Sequence, residues 1–278
     1  MRIGQRSSSI ISHAFAWFIG LVWLIPFLGV FIASIRPYSE IIHGWWNVDT
    51  VTLTLDNYIG TWNHQDYPLS NAIPNSLIIA LPSTVVPVLV GSLAAYSFMR
   101  FKFPLKSTLF MLTVVLIMLP IQAVILPDFL TMFRLGLWNT HLGVIILHSA
   151  FGLPWIILFL RNFFESLPMD ILDQGRVDGA SDFQIFYRLV LPMSLPALVS
   201  IAAIQFVWVW NDYFVALVML RPPYQVATQV LPLIKGHLLI DWGGVAGASV
   251  ITMSIPILVY VLLGKYYVKG IVGGTVKG

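Results

Sequence analysis

The sequence predicts an all-α polytopic membrane protein, and three observations lead to that fold class. Hydrophobic residues make up 58% of the 278-residue chain and charged residues only 10%, whereas about a quarter of the residues in a typical soluble domain are charged. The mean hydropathy is +0.85. Six apolar stretches reach the length of about 20 residues that a helix needs to cross a bilayer. They cover residues 12–35, 73–99, 107–133, 141–164, 193–219 and 243–267.

These six spans form one transmembrane domain over residues 1–278, because no stretch between them has the composition of a soluble domain. The first span is too long and too aromatic for a cleaved signal peptide, so we expect it to be retained. The chain has no cysteine, which excludes disulfides, thiolate metal sites and cysteine nucleophiles. No histidine spacing is typical of a metal site either.

The basic residues indicate how the spans are oriented, since cytoplasmic loops carry an excess of Lys and Arg. With the N-terminus inside, eleven of the 15 basic residues fall on the cytoplasmic side. They are Arg2, Arg6, Arg100, Lys102, Lys106, Arg161, Arg176, Arg188, Lys265, Lys269 and Lys277. Only Arg36, Arg134, Arg221 and Lys235 fall outside. This distribution predicts a chain with both termini in the cytoplasm.

Each span contains at least one proline, and these prolines have two interpretations. A proline inside a helix removes a hydrogen bond and kinks the helix. Kinked helices suit a pathway that opens and closes, but proline is also generally frequent in membrane helices. The prolines concerned are Pro26, Pro82, Pro87, Pro120, Pro127, Pro154, Pro196 and Pro256.

A polar segment, residues 165–190, separates spans four and five and lies in the cytoplasm in the predicted topology. Its first half has the features of a short helix. Pro168 suits a first helical turn, and Asp170 and Asp173 complement the dipole near the helix start. Gly179 is placed to end this helix in a left-handed cap.

The second half of the segment predicts another helix. Ser181 and Gln184 have the S-x-x-Q spacing of a capping box, and Asp182 adds negative charge to the first turn. Phe183 and Phe186 lie three residues apart, which predicts that they share one face. A capped helical pair with two aromatic residues on one face fits a knob that docks on another protein. A surface hairpin packed on its own bundle is the alternative.

The stretch "DQGRVDGASDFQIFYRLVLPMSLPAL" resembles the EAA loop of permease subunits of ABC importers. That pattern reads approximately E-A-A-x-x-D-G-A, followed after several residues by I-x-L-P. The match covers Asp178, Gly179 and Ala180 and then residues 190–192. The sequence departs from the pattern at Asp173, Gln174 and Gly175. Glycine costs about 1 kcal/mol of helix propensity relative to alanine, which places the rigidity of the first helix in question.

Four further stretches occur in the order found in sugar-type permeases. "LTLDNY" followed by "NSL" resembles the first external loop and second span, and "GLWNTHLG" the loop between spans three and four. "WND" resembles the outer end of span five, and "GIVGGTVKG" the C-terminus of the maltose-type MalG subunit. Together with the EAA loop, they identify the chain as similar to the MalG-like permeases of carbohydrate ABC importers.

The resemblance implies six spans, a cytoplasmic coupling helix and a set of partners. These are a second, MalF-like permease subunit, two ATPase subunits and an extracytoplasmic sugar-binding protein in a bacterial or archaeal cytoplasmic membrane. ATP and Mg²⁺ would be bound by the ATPase subunits and no cofactor by this chain. It implies ATPase coupling for Asp173, Arg176, Asp178, Gly179, Ala180, Phe183 and Phe186. It also implies an extended C-terminal tail on the ATPase pair, with Gly273, Gly274 and Gly278.

The sequence itself contains no G-x-x-x-x-G-K-[ST] phosphate loop, so ATP hydrolysis is expected in another chain. We therefore expect a transport subunit and not an enzyme. An intramembrane enzyme would need paired carboxylates or a nucleophile set, and a structural subunit would not need a coupling knob. A secondary transporter of a small neutral solute is the alternative, although such proteins often carry buried ionisable residues for ion coupling.

Polar residues at membrane depth are the candidates for a translocation pathway. They are Gln122, Asp128, Gln205, Asn211 and Asp212. An intramembrane carboxylate is a functional candidate, but Asp128 and Asp212 also suit positions at the wet outer ends of their spans. Gln122 and Gln205 have a second interpretation as hydrogen-bonding groups between helices. Few fixed charges along the spans favour a neutral cargo.

Overall fold

The structure is a computed structural model that describes residues 2–235 and 240–275, with side chains over residues 12–235 and 240–265. Within these ranges the chain is helical and contains no strand, which agrees with the predicted fold class. The first helices are α1 (Arg2–Ser34), α2 (Tyr38–Ile41), α3 (Asp56–Trp62), α4 (Leu69–Ala80), α5 (Pro82–Arg100), α6 (Lys106–Ile117), α7 (Ile121–Arg134) and α8 (His141–Phe164).

The second half of the chain begins with the short helices α9 (Met169–Val177) and α10 (Asp182–Ile185). A π-helical turn (Phe186–Val190) follows. The remaining helices are α11 (Leu191–Met193), α12 (Leu195–Trp210), α13 (Phe214–Met219), α14 (Ala227–Ile234) and α15 (Trp242–Thr275).

Four helical stretches of the described chain are long and apolar enough to cross a membrane. They are Ser12–Ser34, Leu69–Arg100, His141–Phe164 and Trp242–Lys265. Two bent helix pairs raise the number to six if each pair counts as one span. Each of the six stretches predicted from the sequence overlaps one of these segments.

Spans three and five differ from straight helices. Between α6 and α7 the chain bends by 102°, because Pro120 has an extended backbone and precedes α7 instead of continuing α6. The helix predicted to reach residue 219 ends at Trp210, and α13 is a separate short helix. The 75° bend between α10–α11 and α12 falls at Ser194, two residues before Pro196.

One compact unit comprises the chain up to Ser70 together with Val230–Ser254. In it, the Asn57 amide donates hydrogen bonds to the carbonyls of Ser34 and Arg36 at 2.9 and 2.8 Å, and so caps the end of α1. The guanidinium of Arg36 is buried and lies 2.9 Å from the Glu40 carboxylate. Hydrogen bonds from Thr52, and after them from Arg36, hold the pKa of Glu40 below its ordinary value.

The other unit comprises Asn71–Gln229 and the chain from Ile255 onward. Its most extensive helix pairing joins α5 and α8. The two helices approach closely at Gly91, where a Cβ atom would lie only 2.7 Å from the side chain of Ile156. The polar segment between α8 and α12 belongs to this unit, as do the pathway candidates, so the possible sites are described within it.

Candidate functional site

The polar segment folds into a helical knob, which we define as α9, α10 and the turn that joins them (residues 169–185). Gly179 ends α9 with φ +84°, a conformation that glycine adopts without a Cβ penalty. The amide of Ala180 donates to the carbonyl of Gly175 at 3.1 Å, the six-to-one bond of a Schellman cap. The predicted left-handed cap at Gly179 is confirmed.

The start of α10 is fixed by a reciprocal pair of hydrogen bonds. The amide of Gln184 donates to the Ser181 hydroxyl at 3.3 Å, and the amide of Ser181 donates to the Gln184 side chain at 2.8 Å. This is the predicted capping box. Because caps satisfy the backbone groups at both ends of the turn, the knob holds its shape without a partner.

Gly175, which stands where the EAA pattern has alanine, lies at a close packing contact. A Cβ atom on Gly175 would lie 3.0 Å from Cδ1 of Leu189. Alanine at this position would therefore press on Leu189 from the second half of the segment. The glycine permits a close approach of these two parts of the chain, which offsets its low helix propensity.

The inner side of the knob packs on the membrane bundle. Leu172, Ile185 and Val190 are fully buried in a cluster with Tyr96 and Phe164. For this inner side, the alternative of a hairpin packed on its own bundle describes the structure. The exposed tip has a different character and is considered separately.

The structure corrects the expectation for Phe186. Its side chain is only 5% exposed, and its ring centroid lies 5.2 Å from that of Tyr96. The ring of Phe186 does lie beside that of Phe183, with centroids 6.5 Å apart, as their spacing predicted, but only Phe183 of the two is exposed. Tyr187 is the second exposed ring of this stretch. Phe183 is 69% exposed and Tyr187 64%. Tyr187 lies four residues after Phe183, a spacing that places two side chains on one face of a helix, and this spacing was the sequence signal that could have identified it.

The tip of the knob is exposed around the glycine turn. Arg176, Asp178 and Gly179 are exposed, whereas Ala180 is half-buried against the core cluster. Val177, which sequence reasoning did not select, is 86% exposed. An exposed valine between charged residues, with Phe183 and Tyr187 nearby in the chain, gives the knob apolar groups that no described residue covers.

Arg100, at the end of α5, anchors the knob through two of the knob's carboxylates. Its Nη1 atom lies 2.7 Å from Oδ1 of Asp173 in α9, and its Nε atom lies 3.8 Å from Oδ1 of Asp182 in α10. Its side chain is only 8% exposed. The second carboxylate also lies 3.3 Å from Arg176. Asp173 therefore holds the knob to α5 and remains exposed enough to meet a partner.

Gln205 joins three spanning helices. Its side chain, in α12, is fully buried. Its amide nitrogen donates to the carbonyl of Ser83 in α5 at 3.1 Å, and its oxygen accepts from the indole of Trp155 in α8 at 3.1 Å. A Cβ atom on Gly152 would lie 2.5 Å from this amide. The alternative of helix-to-helix hydrogen bonding is the one that the structure supports.

Asn211 and Asp212 lie at the turn after α12 and line a cavity of about 670 Å³. The Asp212 carboxylate accepts from the amides of Val215 and Ala216 at 3.3 and 3.1 Å, and so caps α13. Its Oδ2 atom also lies 3.6 Å from Nε2 of His148. Asp212 thus has a structural task, while Asn211 is an exposed amide at the cavity.

Gln122 and Asp128 lie on α7, away from this cavity lining. Gln122 is exposed in the first turn of α7, and Asp128 is half-buried. The Oδ2 atom of Asp128 is buried and accepts no hydrogen bond from the described residues. A pathway role for these two residues stays a prediction.

The C-terminal glycines fall partly outside the described chain. Helix α15 continues through Gly273 and Gly274 to Thr275, so this part of the tail is helical and not extended as the resemblance implied. Gly278 lies outside the described residues.

Comparisons with known proteins agree on one family. A family model described as "Binding-protein-dependent transport system inner membrane component" matches residues 87–272. A probable ABC transporter permease protein of Pyrococcus horikoshii is 50% identical over 96% of this chain and 98% of its own length. The trehalose transport system permease protein SugB of Mycobacterium tuberculosis is 32% identical over 92% of this chain and 93% of its own.

A solved structure has the same fold. It is a bacterial ABC transporter involved in the import of the acidic polysaccharide alginate, and one of its chains superposes with a TM-score of 0.81. The superposition covers 94% of this chain and 97% of that chain at 22% sequence identity. At this identity the likeness concerns the fold alone.

Proposed function

The chain belongs to the family of binding-protein-dependent transport system inner membrane components, which makes it a permease subunit of an ABC importer, and we propose that the cargo of this importer is a sugar. The protein is a multi-pass membrane protein of a transport family and not a catalytic enzyme. Its site is therefore a place where force from other subunits enters the membrane helices. The exposed tip of the knob is the observation that carries this assignment.

The tip suits docking in a cleft of an ATPase subunit. Val177 and Phe183 offer apolar area, while Arg176 and Asp178 offer charges that can fix the orientation. Apolar anchors with a polar rim are the usual composition of a protein interface. The caps on both sides of Gly179 pre-organise the knob, which lowers the entropic cost of binding. ATP and Mg²⁺ would be bound by these ATPase subunits.

Movement of the knob would pass to three spanning helices together. Covalently, the knob connects α8 and α12, and Arg100 adds a tie to α5. Deeper in the bundle, Gln205 links α12 to α5 and α8. Packed helices with such links move as bodies rather than bending continuously. A displacement of the knob by ATP-driven closure of its partners would therefore tilt α5, α8 and α12 as one group.

The other subunits follow from the family and from the exposed surfaces. A second permease subunit would complete the pathway, and an extracytoplasmic binding protein would deliver the cargo. The excess of Lys and Arg in the predicted inner loops supports cytoplasmic termini and, with them, a knob on the ATPase side of a bacterial or archaeal cytoplasmic membrane. The trehalose transport of SugB, as its name states, supports a sugar as cargo.

The docking role is tested by reversing one charge at the tip. We expect Asp178→Lys to reduce sugar uptake at least about tenfold, the equivalent of a lost interaction of about 1.4 kcal/mol, while membrane insertion stays normal. Asp170→Lys is the matched control, because Asp170 is an equally exposed aspartate at the other end of α9. Uptake of labelled trehalose by cells and co-purification of the ATPase subunits are measured. Normal uptake with Asp178→Lys would refute the docking assignment.

A further inference from the structure

We infer that this chain itself binds the cargo in transit, through the indole of Trp208 and the amide of Asn211. The inference rests on the proposed function, since it assumes that a sugar passes this subunit. It adds a binding subsite to a chain whose assigned role is to transmit movement. The argument uses only residues of the unit that contains α5, α8 and α12.

Trp208 stands between two cavities of similar size. The first, of about 670 Å³, lies between α12, the turn after it and α15. The second, of about 560 Å³, lies between α6, α8 and α12. Ile204 and Trp208 line both cavities. These two residues lie four apart on α12 and form a ridge with a concave space on each side.

The walls of the two cavities are rich in aromatic rings. Tyr213 and Tyr260 line the first cavity, Trp155 lines the second, and Trp208 lines both. Aromatic rings offer an apolar face with a polar handle at one end. A sugar ring has the matching pattern, because its C–H groups form apolar faces and its hydroxyl groups lie at the edge. Each cavity has the volume of an ordinary small-molecule pocket.

Charge in the two cavities favours a neutral ligand. No Lys, Arg or His lines either cavity, and Asp212 is the one carboxylate among their lining residues. Both of its oxygens already accept backbone amides of α13. The side-chain amide of Asn211 and the indole N–H of Trp208 make no hydrogen bond to any group in the described part of the chain. These two uncharged groups are available to hydroxyl groups of a ligand.

The orientation of the Trp208 ring is supported from behind. The buried ring of His148 lies 5.6 Å from it, edge to face at 84°. His148 is in turn 3.6 Å from the Asp212 carboxylate. A ring held by such neighbours loses little freedom on binding a ligand. His148 is thus a positioning residue, while Trp208 and Asn211 are the contacts.

Two other occupants of this face are possible, a lipid chain and a helix of another subunit. Both would exclude water, whereas a pathway admits it. Because the chain contains no cysteine, single cysteines can be introduced and their exposure to water measured without a background signal. Ile204→Cys and Val207→Cys, at two lining positions of the first cavity, report on the face while leaving Trp208 and Asn211 intact.

The experiment uses the assembled importer in liposomes with a water-soluble methanethiosulfonate reagent. We expect both thiols to react, and saturating trehalose with the binding protein and ATP to slow the reaction at least about fivefold. Trp23→Cys is the control, since Trp23 is highly exposed on the apolar helix α1 and its thiol should not react. Unreactive thiols at 204 and 207 would mean that lipid or another chain covers the face. Thiols that react at the same rate with and without trehalose would mean that water reaches this face and sugar does not. Either result overturns the inference.

A second measurement separates stacking from packing. Trp208→Leu removes the aromatic ring and should reduce trehalose transported per ATP hydrolysed by about fivefold to tenfold, within the range that aromatic contacts contribute. Trp208→Phe keeps a ring and should retain about half of the wild-type ratio. Equal losses in the two variants would indicate a packing role and contradict the inference. If the wild-type importer takes up neither trehalose nor maltose nor any other neutral sugar, the proposed function itself fails.

Discussion

Arg100 is the residue that ties the knob to α5. It is almost completely buried and faces one carboxylate from each helix of the knob. Its Nε atom and the Oδ1 atom of Asp182 are buried without hydrogen bonds in the described chain, although they lie 3.8 Å apart. A small movement of the knob would close this contact. Arg100 thus suits a positioning role in two arrangements of the same loop.

Replacement of Arg100 tests this role. We expect Arg100→Gln to lower the amount of sugar transported per ATP hydrolysed by about threefold to tenfold. Hydrogen bonds to charged groups contribute about 1.5–3 kcal/mol, and the bond to Asp173 contributes less than this because Asp173 is exposed to water. Arg100→Lys should restore part of the ratio. Lys102→Gln, an exposed basic residue two positions on, is the control. A normal ratio in Arg100→Gln would contradict the positioning role, and a loss of assembly alone would indicate a purely structural one.

At the scale of helices, local chemistry determined what the sequence could predict. The left-handed cap at Gly179 and the capping box at Ser181 depend on residues within a few positions, and both were predicted correctly. The burial of Phe186 and the exposure of Tyr187 were missed, because they depend on the packing of Phe186 on Tyr96, 90 positions earlier in the chain. The end of α12 at Trp210 was also missed. Asp212 caps a separate helix, α13, and the apolar residues of α13 look in the sequence like a continuation of α12.

The link that Gln205 makes between helices gives a prediction at the same scale. Gln205→Leu leaves the buried carbonyl of Ser83 without this donor and the half-buried indole of Trp155 without its acceptor, and an unsatisfied buried polar group costs about 1–3 kcal/mol. We expect a lower thermal unfolding midpoint for the purified importer and a lower uptake rate. Gln65→Leu, which removes an exposed glutamine from the loop before α4, should change neither. Equal midpoints for the two variants in a thermal shift assay would contradict the role of Gln205.

The whole molecule is a permease subunit of a binding-protein-dependent transport family. The family relationship covers residues 87–272, which include the knob, Arg100, Gln205 and Trp208. In the proposed function, energy from ATPase subunits would enter through the knob. The helices tied to the knob by Arg100 and Gln205 would then form the route to the proposed pathway.

The central claim is tested most directly by purifying the tagged chain with its neighbours and assaying what accompanies it. We expect a second permease subunit and two ATPase subunits, with ATP hydrolysis stimulated by a sugar-loaded binding protein. Asp178→Lys should reduce the amount of ATPase recovered, whereas Asp170→Lys should not. A chain that purifies alone and transports sugar in liposomes without ATP would contradict the account and indicate a secondary transporter.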